Sequence, residues 1–582
     1  MLRDAINTFK DIYDKKGEDF ITDSYVPADG DYIIIVPEDN TFTELDSIKI
    51  KQDKKTKEVD RSSNYFKFIC NADYLSKLID MNKPIDSNKI IHSNNYLSFF
   101  VKKDNVNNGK LNEKIIDSYY EILKNPEIKY SKDKEKLRLY KEVENKYGKP
   151  DETLIENIKK WIKENIKNYV DENSNDKSYI KFFFKYDLEK YKEENEKYVI
   201  PNIFNSVDFN VKIGEKTYGL PNDNMGLNSK KPYLENKSRK TKVPQLISLE
   251  EALMQKKFFD YLLNQASIGN TNIYMDNKKI YPKNDKESIN IDFSGIYLRI
   301  KKGKELEIHD FDTVNDYKAN IKPVKLRNVI DLDLNKTNFI YNTNITNFNT
   351  IKDLINQVFF SKFLTSNYFT DSKDMSINDN NLKRNLLLSR RALFNWFYKG
   401  NNCNVWKVLK ESSLSLIKGS IENGYIFKAG EQFNLRCALK EYFEGRGKCM
   451  ADILLDVKAS LRNKISQKDT PSIDNDREYY FAVGQLTNYL ISLSKAAKKT
   501  HSLANPIINA KNDYRIKTEL KKLFKKYNYT MDKKMSKRFD NLMTMVSSYM
   551  PEGDVNDDLI IAGYLHSSLI YEKSDKEENE NE

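Results

Sequence analysis

Histidine is scarce in this 582-residue chain, and the spacing of the four present limits which chemistry is open to it. His92, His309, His501 and His566 form no HExxH, and none has a second histidine close enough in sequence to share a metal. EIHDFD (307–312) sets a histidine beside aspartates, as a metal-dependent nuclease requires, but in a strand-like stretch with no second acidic cluster. A structural or surface role is expected there. The phosphate loop GxxxxGK[ST], a GxGxxG after a strand and the nucleophile elbow GxSxG are all missing. Cys70, Cys403, Cys437 and Cys449 show no CxxC spacing, which speaks against a zinc ribbon or a disulfide framework and suits a reducing cytoplasm. The expectation is a protein that is not an enzyme, with no catalytic residue, metal or cofactor.

The chain does concentrate positive charge. Net charge is +11 and the pI about 8.9, which points to a polyanionic partner provided the charge is clustered. The first cluster lies in NDNMGLNSKKPYLENKSRKTKVPQL (222–246); between Lys230 and Lys242 it sets Lys230, Lys231, Lys237, Arg239, Lys240 and Lys242 against only Glu235. Gly226, Pro232 and Pro244 break regular structure there, so a loop is expected, with Tyr233 able to stack on a base. The second runs from Lys495 to Arg538 and holds fourteen Lys and Arg against Asp513, Glu519 and Asp532, a local balance equal to that of the whole chain. Lys495, Lys498 and Lys499 open it. In KTELKKLFKKY, Leu520, Leu523, Phe524 and Tyr527 form one apolar stripe, and Lys517, Lys521, Lys522, Lys525 and Lys526 are expected to face away from it. A basic amphipathic helix can also lie on a membrane, but neighbouring bundle helices need this stripe, so nucleic acid is the expected partner. The third cluster, NLKRNLLLSRRALFNWFYKGN (381–401), places Lys383, Arg384, Arg390 and Arg391 around a leucine run.

The elements that must position these groups follow from periodicity. Residues 2–16 read as an amphipathic helix with Leu2, Ala5, Ile6, Phe9 and Ile12 on one face. DYIIIVPED (31–39), NYFKFIC (64–70), NNYLSFFVKK (94–103) and SYIKFFFKYD (178–187) read as strands, the first ended by Pro37. A charged helical stretch covers roughly 110–172, with Leu154, Ile155, Ile158, Ile162 and Ile166 on one face. Strands are expected in 209–220 and 290–312. Between them, Ser248 and Glu251 form a capping box that opens a helix over 248–266. From about 350 the pattern is helical up to the acidic tail. The fold class expected is therefore α+β: a mixed α/β body over 1–350, a helical connecting region over 351–449 and a helical bundle over 450–582. EYYFAVGQLTNYLISLSKAAKKTHSLANPI (478–507) is read as a bundle helix with Val483, Leu486, Leu490 and Leu493 as its seam and lysines at its negative end. No run reaches the roughly 20 apolar residues of a membrane span, and the first residues lack a secretory h-region. No membrane association and a cytoplasmic location are expected.

Three segments carry a resemblance: GLNSKKPYLENKSRKTKVPQLISLEEAL, YYFAVGQLTNYLISLSKAAKKTHSLANPII and DDLIIAGYLHSSL. With these, the chain resembles the large subunit of type I-B CRISPR Cascade effector complexes, the Csh family, over essentially its whole length. The resemblance implies a non-catalytic subunit near the 5′ handle of the crRNA. Such a subunit reads the protospacer-adjacent motif (PAM) in target double-stranded DNA and helps to open it. Its helical C-terminal part, similar to a Cascade small subunit, would hold the heteroduplex and the displaced single strand. Implied partners are the backbone and small subunits and a separate helicase–nuclease. Carried onto this sequence, the cations of 230–242 become handle or PAM-proximal contacts, and Asn222, Asn224 and Asn228 beside them are candidates for reading base edges. Lys495, Lys498, Lys499, Lys517, Lys521, Lys522, Lys525 and Lys526 would hold strand backbone. Some relatives carry cysteine pairs in the central region; GLPNDNMGLN has none, so no zinc is transferred.

Met450 follows EGRGKC, whose Gly and Arg codons can spell a ribosome-binding site. Since members of this family make a small subunit from an internal start, Met450 is a candidate start for a fragment carrying the whole second basic zone; otherwise it is an ordinary core methionine. The competing function class is a divalent-metal-dependent nuclease built on Asp and Glu clusters, and a third is a scaffold without nucleic acid.

Overall fold

The structure, a computed structural model, describes residues 2–38, 41–171, 176–221, 245–303, 306–445, 448–468, 471–497, 499–531 and 536–572. The chain divides into two compact units, Met1–Asp285 with Ser294–Asn315, and Lys286–Phe293 with Asp316–Glu582. Only helices longer than two turns are numbered here.

In the first unit, strand β1 (Gly30–Glu38) pairs antiparallel with β2 (Thr41–Ile50) and parallel with β4 (Tyr179–Phe184), and β3 (Ser98–Lys102) closes the sheet against β4. Tyr32–Ile35 and Phe182–Phe184 are buried, as expected where central strands are covered on both faces and read as unbroken apolar runs. The sequence reading ended β1 at Pro37, but the strand continues to Glu38. The β4 ladder stops opposite Ile35, so Pro37 breaks no hydrogen bond on that side. TFTELDSIKI was not recognised as a strand because β2 is an edge, with only Phe42 and Ile50 buried.

Residues 64–70 are not a strand. They lead into helix α2 (Phe66–Ser76), which is buried on nearly every side. Aromatic and β-branched residues marked a buried segment there without specifying its period, and Phe66, Ile69, Cys70 and Asp73 in fact repeat at helical spacing. Helix α1 (Leu2–Lys16) buries Ala5, Ile6, Phe9 and Ile12 as its spacing predicts. The 110–172 stretch resolves into α3 (Glu113–Lys124), α4 (Lys134–Tyr147) and α5 (Glu152–Asn165), started by the side chains of Asn112, Asp133 and Asp151. Helix α6 (Leu188–Asn202) follows β4. A small sheet of β5 (Val211–Ile213), β6 (Lys216–Gly219) and β7 (Ile247–Ser248) precedes α7 (Leu249–Ser267). That helix opens with the expected capping box, Ser248 and Glu251 each bonding the other's backbone N–H. A second four-stranded sheet, in the order β11-β10-β8-β9, is built from β8 (Asn272–Met275), β9 (Ile280–Lys283), β10 (Phe293–Lys302) and β11 (Leu306–Tyr317).

The second unit begins with the antiparallel pair β12 (Asn320–Leu326) and β13 (Thr343–Asn347). From Phe348 onward its long elements are all helical: α8 (Phe348–Val358), α9 (Asn380–Lys399), α10 (Val405–Glu422), α11 (Ile426–Glu444), α12 (Met450–Ile465), α13 (Asp476–Ser492), α14 (Asp513–Tyr527), α15 (Ser536–Ser548) and α16 (Asp557–Leu565). The fold class is α+β, a mixed α/β region followed by a helical one.

Helix α13 is the axis of the C-terminal bundle. Its buried residues run all round from Tyr479 to Ile491, so the expected one-sided seam is a fully enclosed core helix, and Leu493 lies just past its end. The same core takes Leu454 and Leu461 from α12, Leu520 and Leu523 from α14, Phe539 and Leu542 from α15, and Ile560 and Ile561 from α16, together with Ile417, Ile421, Ala429 and Phe433 from α10 and α11. Gln485, buried in its middle, donates to the carbonyls of Gly563 (2.6 Å) and Ser567 (3.2 Å) and accepts from the Leu569 amide (2.8 Å). A polar side chain satisfied in this way fixes the register of the chain around it.

Candidate nucleic-acid interface

Helix α14 starts where the Asn512 side chain accepts from the Arg515 amide at 3.0 Å. Ile516, Leu520, Leu523 and Tyr527, spaced i, i+4, i+7 and i+11, are buried in the bundle. Phe524, expected on the same stripe, is half-buried at its edge and stacks on Phe539 with ring centroids 5.7 Å apart. Lys521, Lys522, Lys525 and Lys526 are exposed on the outer side. Lys522 pairs with Glu519 at 2.9 Å, a solvent-exposed contact of small energy. Lys526 lies over the Tyr527 ring at 5.5 Å. Among the described residues, Lys521 and Lys525 have no carboxylate at ion-pair distance. Tyr514 and Tyr529, at the two ends of this outer side, are 81% and 75% exposed. The sequence reading did not single them out, although their spacing from Lys521 and Lys525 was legible.

Lys517 corrects the sequence reading. It was expected to face away with the other lysines, but it turns inward, pairing with Asp513 at 2.9 Å, donating to the Tyr549 carbonyl and lying 5.7 Å from the Tyr479 ring centroid. At 100° per residue it falls on the edge of the buried face, where Asp513 one turn earlier draws it in.

Lys495 and Lys499 are exposed beyond the C-terminus of α13, and Lys499 donates to the Ser492 carbonyl at 3.0 Å, satisfying a terminal acceptor of that helix. Lys498 lies outside the described residues, as does the whole of 222–244. That segment includes Asn222, Asn224, Asn228, Lys230, Lys231, Tyr233, Lys237, Arg239, Lys240 and Lys242. On α9, Arg384 is exposed and Lys383 half-buried. Arg390 points inward and donates to the carbonyls of Asn367 (2.9 Å) and Thr370 (2.6 Å). Arg391 is exposed, with its guanidinium 6.0 Å from the Phe369 ring centroid. The third cluster is thus divided between structural and solvent-facing cations.

The histidines have protein partners. His92 shares a hydrogen bond with Tyr179 Oη (2.8 Å), His309 with Glu307 (2.8 Å), His501 with Tyr564 Oη (2.7 Å) and His566 with Asp331 (3.0 Å). Burial lowers the pKa of His92, His501 and His566, which favours the neutral ring. In the first unit, Asp73 is fully buried against Lys181 at 2.6 Å and accepts from Tyr25 at 3.0 Å. Asp260 is held between Lys77 (3.1 Å) and Lys256 (2.6 Å). Lys181 also lies 5.0 Å from the Tyr32 ring centroid and 4.5 Å from that of Phe100. These pairs join elements within the unit, and Asp73 has no path to solvent. Among the described residues, no three His, Cys, Asp or Glu side chains converge as metal ligands, and no helix is long and apolar enough to cross a membrane.

The arrangement on α14 is suited to binding: four exposed cations in two helical turns, on a helix fixed from behind by four buried side chains. Compared with protein-family models, curated proteins and solved structures, the chain matches none.

Proposed function

We propose that the chain is the non-catalytic large subunit of a type I-B CRISPR RNA-guided surveillance complex. In this reading it binds the 5′ handle region of the crRNA, recognises the PAM in target duplex DNA and stabilises the opened strands with its basic helical bundle. It works in the cytoplasm beside backbone and small subunits and helps to recruit a helicase–nuclease. The observation that carries the reading is the outer side of α14, where Lys521, Lys522, Lys525 and Lys526 face solvent from a rigid helix. Such a face holds phosphates without reading bases. That is the share left to protein when guide RNA reads the target by base pairing. The resemblance of the 226–253, 479–508 and 557–569 segments to the Csh family supports it further.

Initiation at Met450 belongs to the same proposal. A start there falls on the first residue of α12, so the fragment would begin without cutting a helix. It would leave behind Ile417, Ile421, Ala429 and Phe433, which share its core, and would therefore need a covering surface in the complex.

Purification from the native host tests the reading. A crRNA of uniform 5′ end bound to the protein, together with further subunits, is expected. Protein that carries no small RNA, or that cleaves DNA alone with a divalent metal, would overturn it in favour of a nuclease.

A further inference from the structure

Along the side of α14 opposite Ile516, Leu520, Leu523 and Tyr527 run Tyr514, Thr518, Lys521 and Lys525, spaced i, i+4, i+7 and i+11. Tyr529, fifteen residues on from Tyr514, is exposed in the single 3-10 turn Asn528–Thr530 that prolongs the helix. The stripe therefore places one tyrosine at each end and two lysines between them, spanning about 22 Å of helix axis. Thr518 donates its hydroxyl to the Tyr514 carbonyl at 2.7 Å and leaves the stripe's outer surface to the rings and the ammonium groups. Among the described residues, neither tyrosine stacks on another ring or lies under a cation. A single exposed tyrosine is ordinary. Two of them bracketing two lysines on the solvent side of one helix place aromatic faces at both ends of a run of positive charge.

Building on the cationic face of the proposed function, we propose that this stripe is a single-strand-specific site in which Tyr514 and Tyr529 stack unpaired bases while Lys521 and Lys525 hold the intervening phosphates. The ring faces distinguish the partner. In a duplex the bases are stacked on one another and offer only their edges, so a tyrosine on a convex helix gains little there. In a single strand each base offers a π-face, and stacking on an aromatic ring is worth about 1–3 kcal/mol per base without sequence preference. The lysines contribute to either partner through phosphate neutralisation. Strandedness is therefore read by the tyrosines and overall affinity is set by the lysines.

The test uses the full-length protein and three labelled DNA probes of equal length: an oligothymidylate strand, a duplex, and an abasic strand that keeps the phosphates but lacks the bases. Tyr514→Ala combined with Tyr529→Ala is expected to lower affinity for the oligothymidylate about tenfold per ring, with duplex affinity changing less than about twofold. Tyr→Phe at both positions is expected to retain the binding. The unaltered protein should bind the abasic strand about as weakly as the alanine variant binds oligothymidylate, an arm that needs no mutant to fold. Equal losses on strand and duplex, no loss on the strand, or undiminished abasic binding would each overturn the proposal. Lys521→Gln combined with Lys525→Gln separates it from the reading beneath it. If that variant loses affinity for strand and duplex alike while the tyrosine variant loses none, the cationic face stands and only the stacking role falls. If the lysine variant binds both as before, the cationic face falls and the proposal with it. An acidic peptide that displaces the strand equally from the unaltered protein and the tyrosine variant would overturn the proposal in favour of a protein partner.

Discussion

Gly484 on α13 and Gly563 on α16 meet backbone to backbone, so closely that neither position accommodates a methyl group. A Cβ on Gly484 would stand 2.2 Å from the Ile560 carbonyl oxygen, and one on Gly563 would stand 2.1 Å from that of Phe481. Each obstacle is main chain of the opposing helix, which cannot swing aside as a side chain does. Gly484→Ala or Gly563→Ala is expected to destabilise the bundle by about 3 kcal/mol, the upper range for overpacking, read as a lower denaturant midpoint of the second unit. A change of less than about 0.5 kcal/mol would show that the two helices separate at little cost.

A second expectation concerns acid. Asp558 on α16 pairs with Arg436 at 2.8 Å and Lys440 at 3.0 Å, both on α11. Burial alone would raise its pKa, but the two cations more than reverse this and hold it below the ordinary carboxylate value. A depressed folded-state value contributes stability at every pH above the unfolded value of about 4, and that contribution is lost as pH falls through the folded value. Asp558→Asn is expected to cost about 3–5 kcal/mol at neutral pH, because Arg436 stays buried without its counter-charge. The variant should also lose less stability than the parent as pH falls below about 4, measured by denaturant unfolding at successive pH values.

In the first unit, Lys181 and Asp73 form a buried pair beside aromatic rings, with Asp73 wholly covered. Lys181→Met alone is expected to destabilise by about 3–5 kcal/mol, since Asp73 is left buried without its partner. Lys181→Met with Asp73→Leu is expected to recover most of that loss, and calorimetry of the four members of the cycle measures it. A double variant no more stable than the single would show that the pair is needed for more than mutual neutralisation.

Lys517 and Lys521 lie on one helix yet should behave oppositely. Lys517→Gln is expected to lower the melting temperature, through loss of the Asp513 pair and the Tyr549 carbonyl contact, and to leave nucleic-acid affinity within about twofold. Lys521→Gln should weaken binding and leave the melting temperature unchanged. A reversal of the two phenotypes in a titration and a thermal melt would refute the assignment of faces.

Salt dependence counts the phosphates held. If Lys521 and Lys525 each neutralise one, removing both as glutamine should reduce the slope of log K against log salt by about 1.4 on single-stranded DNA. An unchanged slope would mean that neither contacts phosphate.

Much of the fold was legible in the chain. Uninterrupted apolar runs such as IIIV and FFF marked central strands, and Ser248 with Glu251 marked a helix start, because both signals are local. β2 was missed because an edge strand has one solvated face. The 64–70 segment was misread because it is short and its aromatic and β-branched residues outweighed the helical spacing of Phe66, Ile69 and Cys70. Of the candidate site, clustering of charge was visible, but which cation faces outward was not. Lys517 and Arg390 turn inward because an acceptor from a neighbouring turn or loop lies within reach.

The sequence by itself determined the α+β order of elements, the lack of familiar catalytic motifs and the concentration of cations between Lys495 and Arg538. These depend on residue types and short-range spacing. Tertiary structure alone decided that α13 is enclosed on all sides, that Gly484 faces Gly563, and that Tyr514, Lys521, Lys525 and Tyr529 are left together on one solvent face. Which side of a helix is covered depends on neighbours distant in sequence, and no local pattern of residues carries that information.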